Sequence, residues 1–187
     1  IPGRPTIEFL PTLLQEMISL IPFPKTMKWS NPDVRFARPV HWIVALFGSE
    51  ILPVKFGNLN AGNVTYGNRF MAPSAIEIGS IDAYEDLLAK AYVIPDIEKR
   101  KAVIWEGVTS NAKNLKAEVR DKDLLDEVVN ILEYPHIIVG RFADAYLEVP
   151  PEVLVTVMKH HQRYFPVYSL EEKNSLRPYF ITVSNII

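Results

Sequence analysis

One stretch of the sequence joins a predicted helix to a predicted strand, and it reads Pro150-Pro151-Glu152-Val153-Leu154-Val155-Thr156-Val157-Met158-Lys159-His160-His161-Gln162-Arg163-Tyr164-Phe165-Pro166-Val167. Pro151 suits the first helical position, because the N–H that proline lacks has no partner there in any helix. Apolar residues then recur at helical spacing, at Val153, Leu154, Val157 and Met158. A strand is predicted from Gln162 through Phe165 into Pro166.

The junction between this helix and strand gathers hydrogen-bond donors and aromatic rings without an acidic residue. They are Lys159, His160, His161, Gln162, Arg163 and Tyr164. Cations that meet phosphates and rings that stack on bases are the means by which proteins hold a polynucleotide strand. Basic side chains also complement the carboxyl end of any helix, so a purely structural role is the alternative.

A second basic segment runs from Pro24 to Trp42. It carries Lys25, Lys28, Arg35 and Arg38 against the single acid Asp33, with Trp29, Phe36 and Trp42 interleaved. Basic residues mixed with aromatic ones predict a second surface that faces RNA. The alternative is an exposed connection that its aromatic residues anchor to the core.

The composition restricts the class of protein and the kinds of site that the chain can form. The chain has 187 residues, 48% hydrophobic and 22% charged, which is ordinary for a folded globular protein. Its net charge of −2 means that any nucleic-acid binding must come from a local patch. The absence of cysteine excludes disulfides and thiolate metal sites, and no apolar run approaches the roughly 20 residues of a membrane span. A start at Ile1-Pro2-Gly3 indicates an internal fragment.

The remaining elements follow from periodicity and turn residues. A helix is expected to end near Ile21. Thr6 is a plausible cap for it, but Pro11 would then lie in the helix interior, so Pro11 is placed at the first helical position. A hairpin is predicted from residues 40–47 and 51–56, with Pro53 at an edge or bulge. Further strands are predicted at 65–66, 75–78, 92–94 and 136–140. Helices are predicted at 80–91 and 123–132, and a long helix is predicted to follow its cap Asp96. A closing hairpin is predicted at 164–168 and 179–184, around the loop 170–175.

This mixture of hairpins, short strands and several helices predicts an α+β or mixed α/β fold. We expect one domain over residues 1–187, with a helical arm at 1–24 and a mixed sheet-and-helix body at 25–187. Between Ile81 and Glu133 the acidic residues outnumber the basic ones by 12 to 8, so this part is not expected to face RNA.

The sequence offers little for catalysis. Phosphate-loop, dinucleotide-turn, nucleophile-elbow and zinc-helix motifs are absent. Adjacent His160 and His161 would point about 100° apart on a helix, which does not favour a shared metal. No catalytic or metal-binding residue is therefore predicted. The remaining catalytic alternative is hydrolysis of an ester by His161, with Arg163 stabilising an oxyanion.

The stretch from Glu152 to Val167 resembles a signature of the beta subunit of bacterial heterotetrameric glycyl-tRNA synthetase. Further segments match in the same order along essentially the whole chain: Arg38-Pro39-Val40-His41-Trp42, Leu124-Leu125-Asp126-Glu127-Val128, Glu133-Tyr134-Pro135, Gly140-Arg141-Phe142 and Val183-Ser184-Asn185. In Gly67-Asn68-Arg69-Phe70 the family pattern expects histidine in place of Asn68, so no chemical role is expected for that side chain.

The resemblance implies a cytoplasmic ligase in which an alpha subunit holds glycine and ATP, while the beta subunit is needed for activity and engages glycine tRNA. No cofactor is then expected in this fragment, although the holoenzyme uses ATP. The resemblance also implies a fold similar to the editing-type domain of the phenylalanyl-tRNA synthetase beta chain. The residues expected to contact tRNA, or to brace the surface that does, are Lys159, His161, Arg163, Tyr164, Arg35 and Arg38.

Two other functions remain open. The same residues could meet the alpha subunit, or another part of beta, in a structural interaction module. The region could also hydrolyse mischarged aminoacyl-tRNA. Glycine is the smallest amino acid, so a tight synthetic pocket already excludes larger ones and leaves little for editing to correct.

Overall fold

The fold is seen in a computed structural model, which describes residues 3–30, 34–172 and 175–187. It divides into two compact units, Ile1–Ala91 and Tyr92–Ile187. The expectation of a single domain with an N-terminal arm stays a prediction. Interpretations that involved Ile1, Pro2 and Asp33, or Lys173 and Asn174 in the loop 170–175, lie outside the described residues.

The first unit begins with helix α1, Thr6–Leu20. The predicted start at Pro11 was wrong, because Pro11 lies inside the helix and is its buried residue. An internal proline removes one backbone hydrogen bond. Here its ring is packed away from water, which offsets part of that cost. The amide of Lys55 donates to the side-chain oxygen of Gln15 over 3.0 Å and ties α1 to the strands that follow.

Four antiparallel strand pairs follow α1. They are β1 (Met27–Ser30) with β2 (Val34–Phe36), β3 (Leu46–Phe47) with β4 (Glu50–Ile51), β5 (Lys55–Phe56) with β6 (Leu59–Asn60), and β7 (Val64–Tyr66) with β8 (Ala75–Glu77). Gly48 and Gly57 lie at positive φ of 64° and 63°, where residues with a Cβ are strained, and so permit the tight turns after β3 and β5.

These pairs confirm two predictions and correct others. The predicted hairpin at 40–56 exists, but it shrinks to the pair β3–β4, and Pro53 lies outside any strand. The strands predicted at 65–66 and 75–78 are confirmed as β7 and β8. The pairs β1–β2 and β5–β6 were not predicted. They are too short for alternation of polar and apolar residues to be visible.

A 3-10 turn, Ile81–Ala83, and helix α2, Tyr84–Lys90, close the first unit. They confirm the helix predicted at 80–91. The hydroxyl of Ser80 accepts from the amide of Asp82 and caps this segment. The buried apolar side chains of this unit include Leu52, Val54, Phe56, Ile78, Leu88 and Ala91.

The second unit is built on a four-stranded antiparallel sheet of order β10-β12-β11-β9. Its strands are β9 (Ala117–Glu118), β10 (His136–Arg141), β11 (Phe165–Ser169) and β12 (Leu176–Ser184). Strand β10 and the closing hairpin were predicted, whereas the two residues of β9 were not. The strand predicted at 92–94 was wrong: Tyr92 lies at a φ of 58°, outside the extended region.

Helices α3 (Ile97–Asn114), α4 (Lys122–Val128) and α5 (Pro151–Thr156) complete this unit. The predicted cap is confirmed, since the Asp96 carboxylate accepts from the amides of Glu98 and Lys99 at 2.8 and 3.0 Å. One hydrophobic core joins α3 and α4 to the sheet, and its fully buried members include Ile104, Val108, Leu124, Phe165, Val167 and Ile181. The described residues thus form a mixed α/β fold of five α-helices and small antiparallel sheets.

None of the helices in the described part of the chain is long and apolar enough to cross a membrane.

Candidate nucleic-acid interface

The predicted RNA-facing junction is a π-helical turn, Val157–Gln162, that continues helix α5. Pro151 occupies the start of α5, as predicted. The turn ends at Arg163, whose backbone is left-handed with φ 58° and ψ 37°. The strand predicted from Gln162 into Pro166 was therefore wrong in its start only, because β11 begins at Phe165. The amide of Tyr164 donates to the carbonyl of Met158 over 2.8 Å and closes the turn.

The ammonium of Lys159 is held by two carboxylates near the start of α4. Its Nζ lies 2.6 Å from Asp121 Oδ1 and 3.1 Å from Asp123 Oδ2, and its side chain is only 15% exposed. Burial disfavours the charge, but the hydrogen bonds to both carboxylates outweigh it and raise the pKa of Lys159. The hydrogen bond between Lys159 and Asp123 lowers the pKa of Asp123. Lys159 is thus a structural cation that joins two helical segments.

The guanidinium of Arg163 is also engaged within the chain. Its Nε lies 2.9 Å from Glu127 Oε2 on α4, and its Nη1 donates to the carbonyl of Lys159 over 3.0 Å. A second bond from Nη1 reaches the carbonyl of His160. Carbonyls at a helix end have no partner within the helix, so Arg163 satisfies groups that would otherwise need water.

Tyr164 is fixed by ring stacking. Its ring lies 4.6 Å from that of Phe180 on β12, and the planes differ by only 9°. Phe180 in turn lies across Gly140, its partner in the β10–β12 register. A Cβ at Gly140 would come 2.1 Å from Phe180 Cζ, so only glycine leaves room for that ring.

The turn presents the polar groups of His160, His161 and Gln162 to solvent, since all three residues are exposed. The structure therefore brings Lys159, His161, Arg163 and Tyr164 together in one turn, as predicted. Three of the four make contacts within their own chain, although the Arg163 side chain is still 41% exposed, and His161 is exposed. The carboxylates that hold the two cations, Asp121, Asp123 and Glu127, were missed. The acid excess between residues 81 and 133 was the signal that could have pointed to them.

The second predicted surface lies in the first unit, on the strand pair β1–β2. Arg35 is exposed, and Lys28 is its partner in the register, so the two basic side chains share one face. Arg38 lies in the bend after β2 and is also exposed. The pair thus carries positive charge at the surface.

The aromatic residues of this segment divide into two groups. Phe36 packs against Phe23 and Phe56 at centroid distances of 4.7 and 5.5 Å, and Trp29 lies 6.1 Å from Phe56. Because Phe56 is buried, these two rings anchor the segment to the core, as the structural alternative expected. Trp42 instead remains 44% exposed.

Among residues 3–30, 34–172 and 175–187, no group of three or more His, Asp or Glu side chains is arranged to hold a metal ion.

Comparisons with a family model and with individual known proteins point to the same family. A family model described as glycyl-tRNA synthetase beta subunit matches residues 1–187. Proteins named glycine–tRNA ligase beta subunit are similar throughout: 47% identical in Syntrophotalea carbinolica and 43% in Moorella thermoacetica, each over 98% of this chain, and 44% in Citrifermentans bemidjiense over 99%. The chain spans only 26–27% of the length of these relatives. It therefore belongs to the glycyl-tRNA synthetase beta subunit family.

Proposed function

We propose that this chain is a region of a glycine–tRNA ligase beta subunit that supports glycyl-tRNA aminoacylation by engaging glycine tRNA and organising the subunit. The ATP and glycine sites lie in the alpha subunit in this proposal, within a cytoplasmic heterotetramer, and this region holds no cofactor of its own. Family membership supports the reaction, and the surface chemistry of the first unit supports the contact with RNA.

The observation that carries the RNA contact is the exposure of Arg35 and Arg38 around strand β2. An exposed guanidinium can donate two parallel hydrogen bonds to a phosphate. A chain with a net charge of −2 offers no general attraction for RNA, so a local positive surface is what the contact requires. His161 adds a second exposed contact, while Lys159, Arg163 and Tyr164 hold the turn that presents it.

The test is the double variant Arg35→Gln with Arg38→Gln in the full-length beta subunit, assembled with its alpha subunit. Each phosphate contact releases counterions, so the variant should bind glycine tRNA about tenfold more weakly at moderate salt. The slope of log K against log salt should fall by roughly 1.5. Fluorescence anisotropy of labelled tRNA over a salt series measures both quantities.

The matched control is Lys90→Gln with Lys113→Gln, which removes the same charge from exposed positions in the acidic part of the chain. Its affinity and salt slope should equal those of the wild type. A folded Arg35/Arg38 variant that also kept the wild-type affinity and slope would refute the RNA contact.

A second function, docking of the alpha subunit, is favoured by an apolar cleft in the second unit. The cleft has a volume of about 310 Å³, and its lining includes Phe142, Leu154, Val157 and Tyr146, a residue that is 57% exposed. Apolar clefts with aromatic walls are typical of protein contacts. Tyr146→Ser should weaken assembly of the two subunits in sedimentation velocity and leave the tRNA salt slope unchanged. Assembly at the wild-type strength would remove this second function.

The fold similarity to the editing-type domain of the phenylalanyl-tRNA synthetase beta chain remains part of the proposal, without the editing activity. Arg163 has three hydrogen-bond partners in its own chain, so it is poorly placed to stabilise an oxyanion beside His161. Incubation of the holoenzyme with mischarged tRNA should give no deacylation above background.

A further inference from the structure

A cleft of about 680 Å³ opens on the surface of the first unit, apart from Arg35 and Arg38. Its lining comprises His41, Trp42, Tyr66, Gly67, Arg69 and Pro73. The volume lies within the range of roughly 300–1,000 Å³ that is usual for small-ligand sites. The cleft brings together a segment before β3 and the end of β7, which are distant in sequence.

Two aromatic side chains form a wall of this cleft. The rings of Trp42 and Tyr66 lie 4.8 Å apart at 61°, and they are 44% and 40% exposed. The indole Nε1 of Trp42 donates to the hydroxyl of buried Thr65 over 3.1 Å. This bond fixes the edge of the indole, and the exposed part of the side chain is left to pack against other groups. Strand pairing holds Tyr66 opposite Ala75 on β8.

The basic residue of the cleft sits on a rigid turn. Asn68, beside Arg69, is only 1% exposed, and its backbone amide donates to the carbonyl of Ala91. Its side-chain oxygen accepts from the backbone amides of Phe70 and Met71 at 3.1 and 3.2 Å. A Cβ at Gly67 would lie 2.5 Å from atoms of Ala91, so the backbone can approach there only through glycine. Asn68 therefore has a structural role, and it holds the backbone of Arg69 in place.

The charges of the cleft restrict what it can bind. Arg69 and His41 are exposed at the cleft, and no carboxylate is among the described residues that line it. A cationic guest would be repelled by Arg69, whereas an anion would be attracted. Exposed aromatic faces favour a planar guest, since rings stack on any nucleobase. A nucleotide combines these two properties, since its base is planar and its phosphate is anionic.

We propose that this cleft binds one unpaired nucleotide of the RNA, with the base packed against the pair formed by the Trp42 and Tyr66 rings and the phosphate at Arg69 and His41. The base must be unpaired, because only then are its faces open to the rings. This inference rests on the proposed engagement of tRNA, but it concerns different residues from those that carry that proposal.

The experiment uses the full-length beta subunit assembled with alpha, and compares Tyr66→Ala with Tyr66→Phe. Loss of the ring should raise the Kd for glycine tRNA about tenfold, whereas phenylalanine keeps the stacking face and should stay within about twofold of the wild type. Arg69→Gln, at an exposed position that should tolerate the change, should weaken binding about fivefold and lower the salt slope by roughly 0.7. Arg4→Gln, at an exposed position outside the cleft lining, is the matched control and should bind as the wild type does.

Ultraviolet cross-linking of the complex gives a direct positive readout, because a stacked base reacts with its neighbouring ring. A cross-linked peptide should contain Trp42 or Tyr66. Free AMP in large excess should not displace the tRNA, since one mononucleotide lacks the other RNA contacts. Displacement by AMP that is lost in Arg69→Gln would assign the cleft to a free nucleotide instead and overturn the inference, because AMP acting at an ATP site in the alpha subunit would not depend on Arg69.

The remaining outcomes separate this inference from the proposed function. Wild-type affinity in Tyr66→Ala and Arg69→Gln, together with weak binding in the Arg35/Arg38 variant, would overturn the inference and leave the proposed function standing. Absence of tRNA binding by the wild-type holoenzyme would overturn both. Loss of alpha-subunit assembly in the cleft variants, with unchanged tRNA affinity, would make the cleft a protein-docking surface and also overturn the inference.

Discussion

The turn after helix α5 and the strand pair β1–β2 both carry basic and aromatic side chains, but their surroundings differ. Lys159 and Arg163 lie 2.6 to 3.1 Å from carboxylates of Asp121, Asp123 and Glu127. Arg35 and Arg38 are exposed at the surface. Cations that already have carboxylate partners stabilise the fold, whereas exposed ones can meet a phosphate. Composition alone therefore does not separate a structural cation from a binding one; the position of the acidic residues does.

The largest effect should come from Lys159→Met, which tests the structural side of this comparison. It leaves the carboxylate of Asp121, whose side chain is 10% exposed, without its cation. Removing one partner of a buried pair is strongly destabilising, so we expect a local loss of about 3 kcal/mol. Hydrogen exchange of the amides in α4 and the π-helical turn, in the full-length subunit, measures it.

The control for Lys159→Met is the double variant with Asp121→Leu. Replacing both partners by apolar groups should recover more than half of the loss, because no unpaired charge then remains buried. A Lys159→Met protein with unchanged exchange and much weaker tRNA binding would break the comparison, since Lys159 would then act as a binding residue.

Gly140→Ala should have the next largest effect, because it removes the support of Tyr164. A Cβ there collides with Phe180, whose ring stacks on Tyr164, so the pair must shift at a cost of about 2 kcal/mol. Gly79→Ala is the matched control, since a Cβ at Gly79 meets no atom within 4 Å. Hydrogen-exchange protection of the amides in β10 and β12 measures the stability of this region in both variants. Equal protection in the two would show that the Phe180 ring is not held by Gly140.

The sequence predicted most of the long elements and the short strands β7 and β8, but it missed several other short strands. Helix α3, with its Asp96 cap, and the pair β11–β12 carry enough residues to display a pattern. Strands such as β5 and β9 have two residues each, and tertiary contacts alone define them. Pro11 misled the prediction of α1, because the cost of an internal proline was weighed without the burial that offsets it.

The candidate site was predictable in its residues but not in its contacts. The grouping of Lys159, His161, Arg163 and Tyr164 follows from their adjacency. Their pairing with carboxylates about 36 residues earlier depends on where α4 packs, and local spacing does not encode that. The cleft of the first unit was not predicted for the same reason: strand pairing and the buried Asn68 bring Tyr66 and Arg69 into the lining that includes Trp42.

A smaller effect separates the backbone of Arg163 from its side chain. Arg163→Ala and Arg163→Gly both delete the ion pair with Glu127, but only alanine keeps a Cβ at a φ of 58°. A residue with a Cβ in the left-handed conformation costs roughly 1–2 kcal/mol, and glycine avoids this cost. Glycine also loses more conformational entropy on folding, which offsets part of the difference. The glycine variant should therefore be more stable than the alanine variant by about 1 kcal/mol in hydrogen exchange of β11. Equal stability would mean that the turn relaxes when the guanidinium is lost.

The smallest effect is a pH dependence carried by Asp123. Its hydrogen bond to Lys159 lowers the pKa of the folded-state carboxyl below the unfolded value, so the unfolded chain takes up a proton first as the pH falls. The stabilisation is present above roughly pH 4 and is lost as the pH falls through the lower folded-state pKa. Wild type and Asp123→Asn should therefore differ in hydrogen-exchange protection of α4 near neutral pH and converge in acid. A difference that persisted unchanged into acid would show that the Asp123 carboxylate does not act through its charge, and that Asp121 alone holds Lys159.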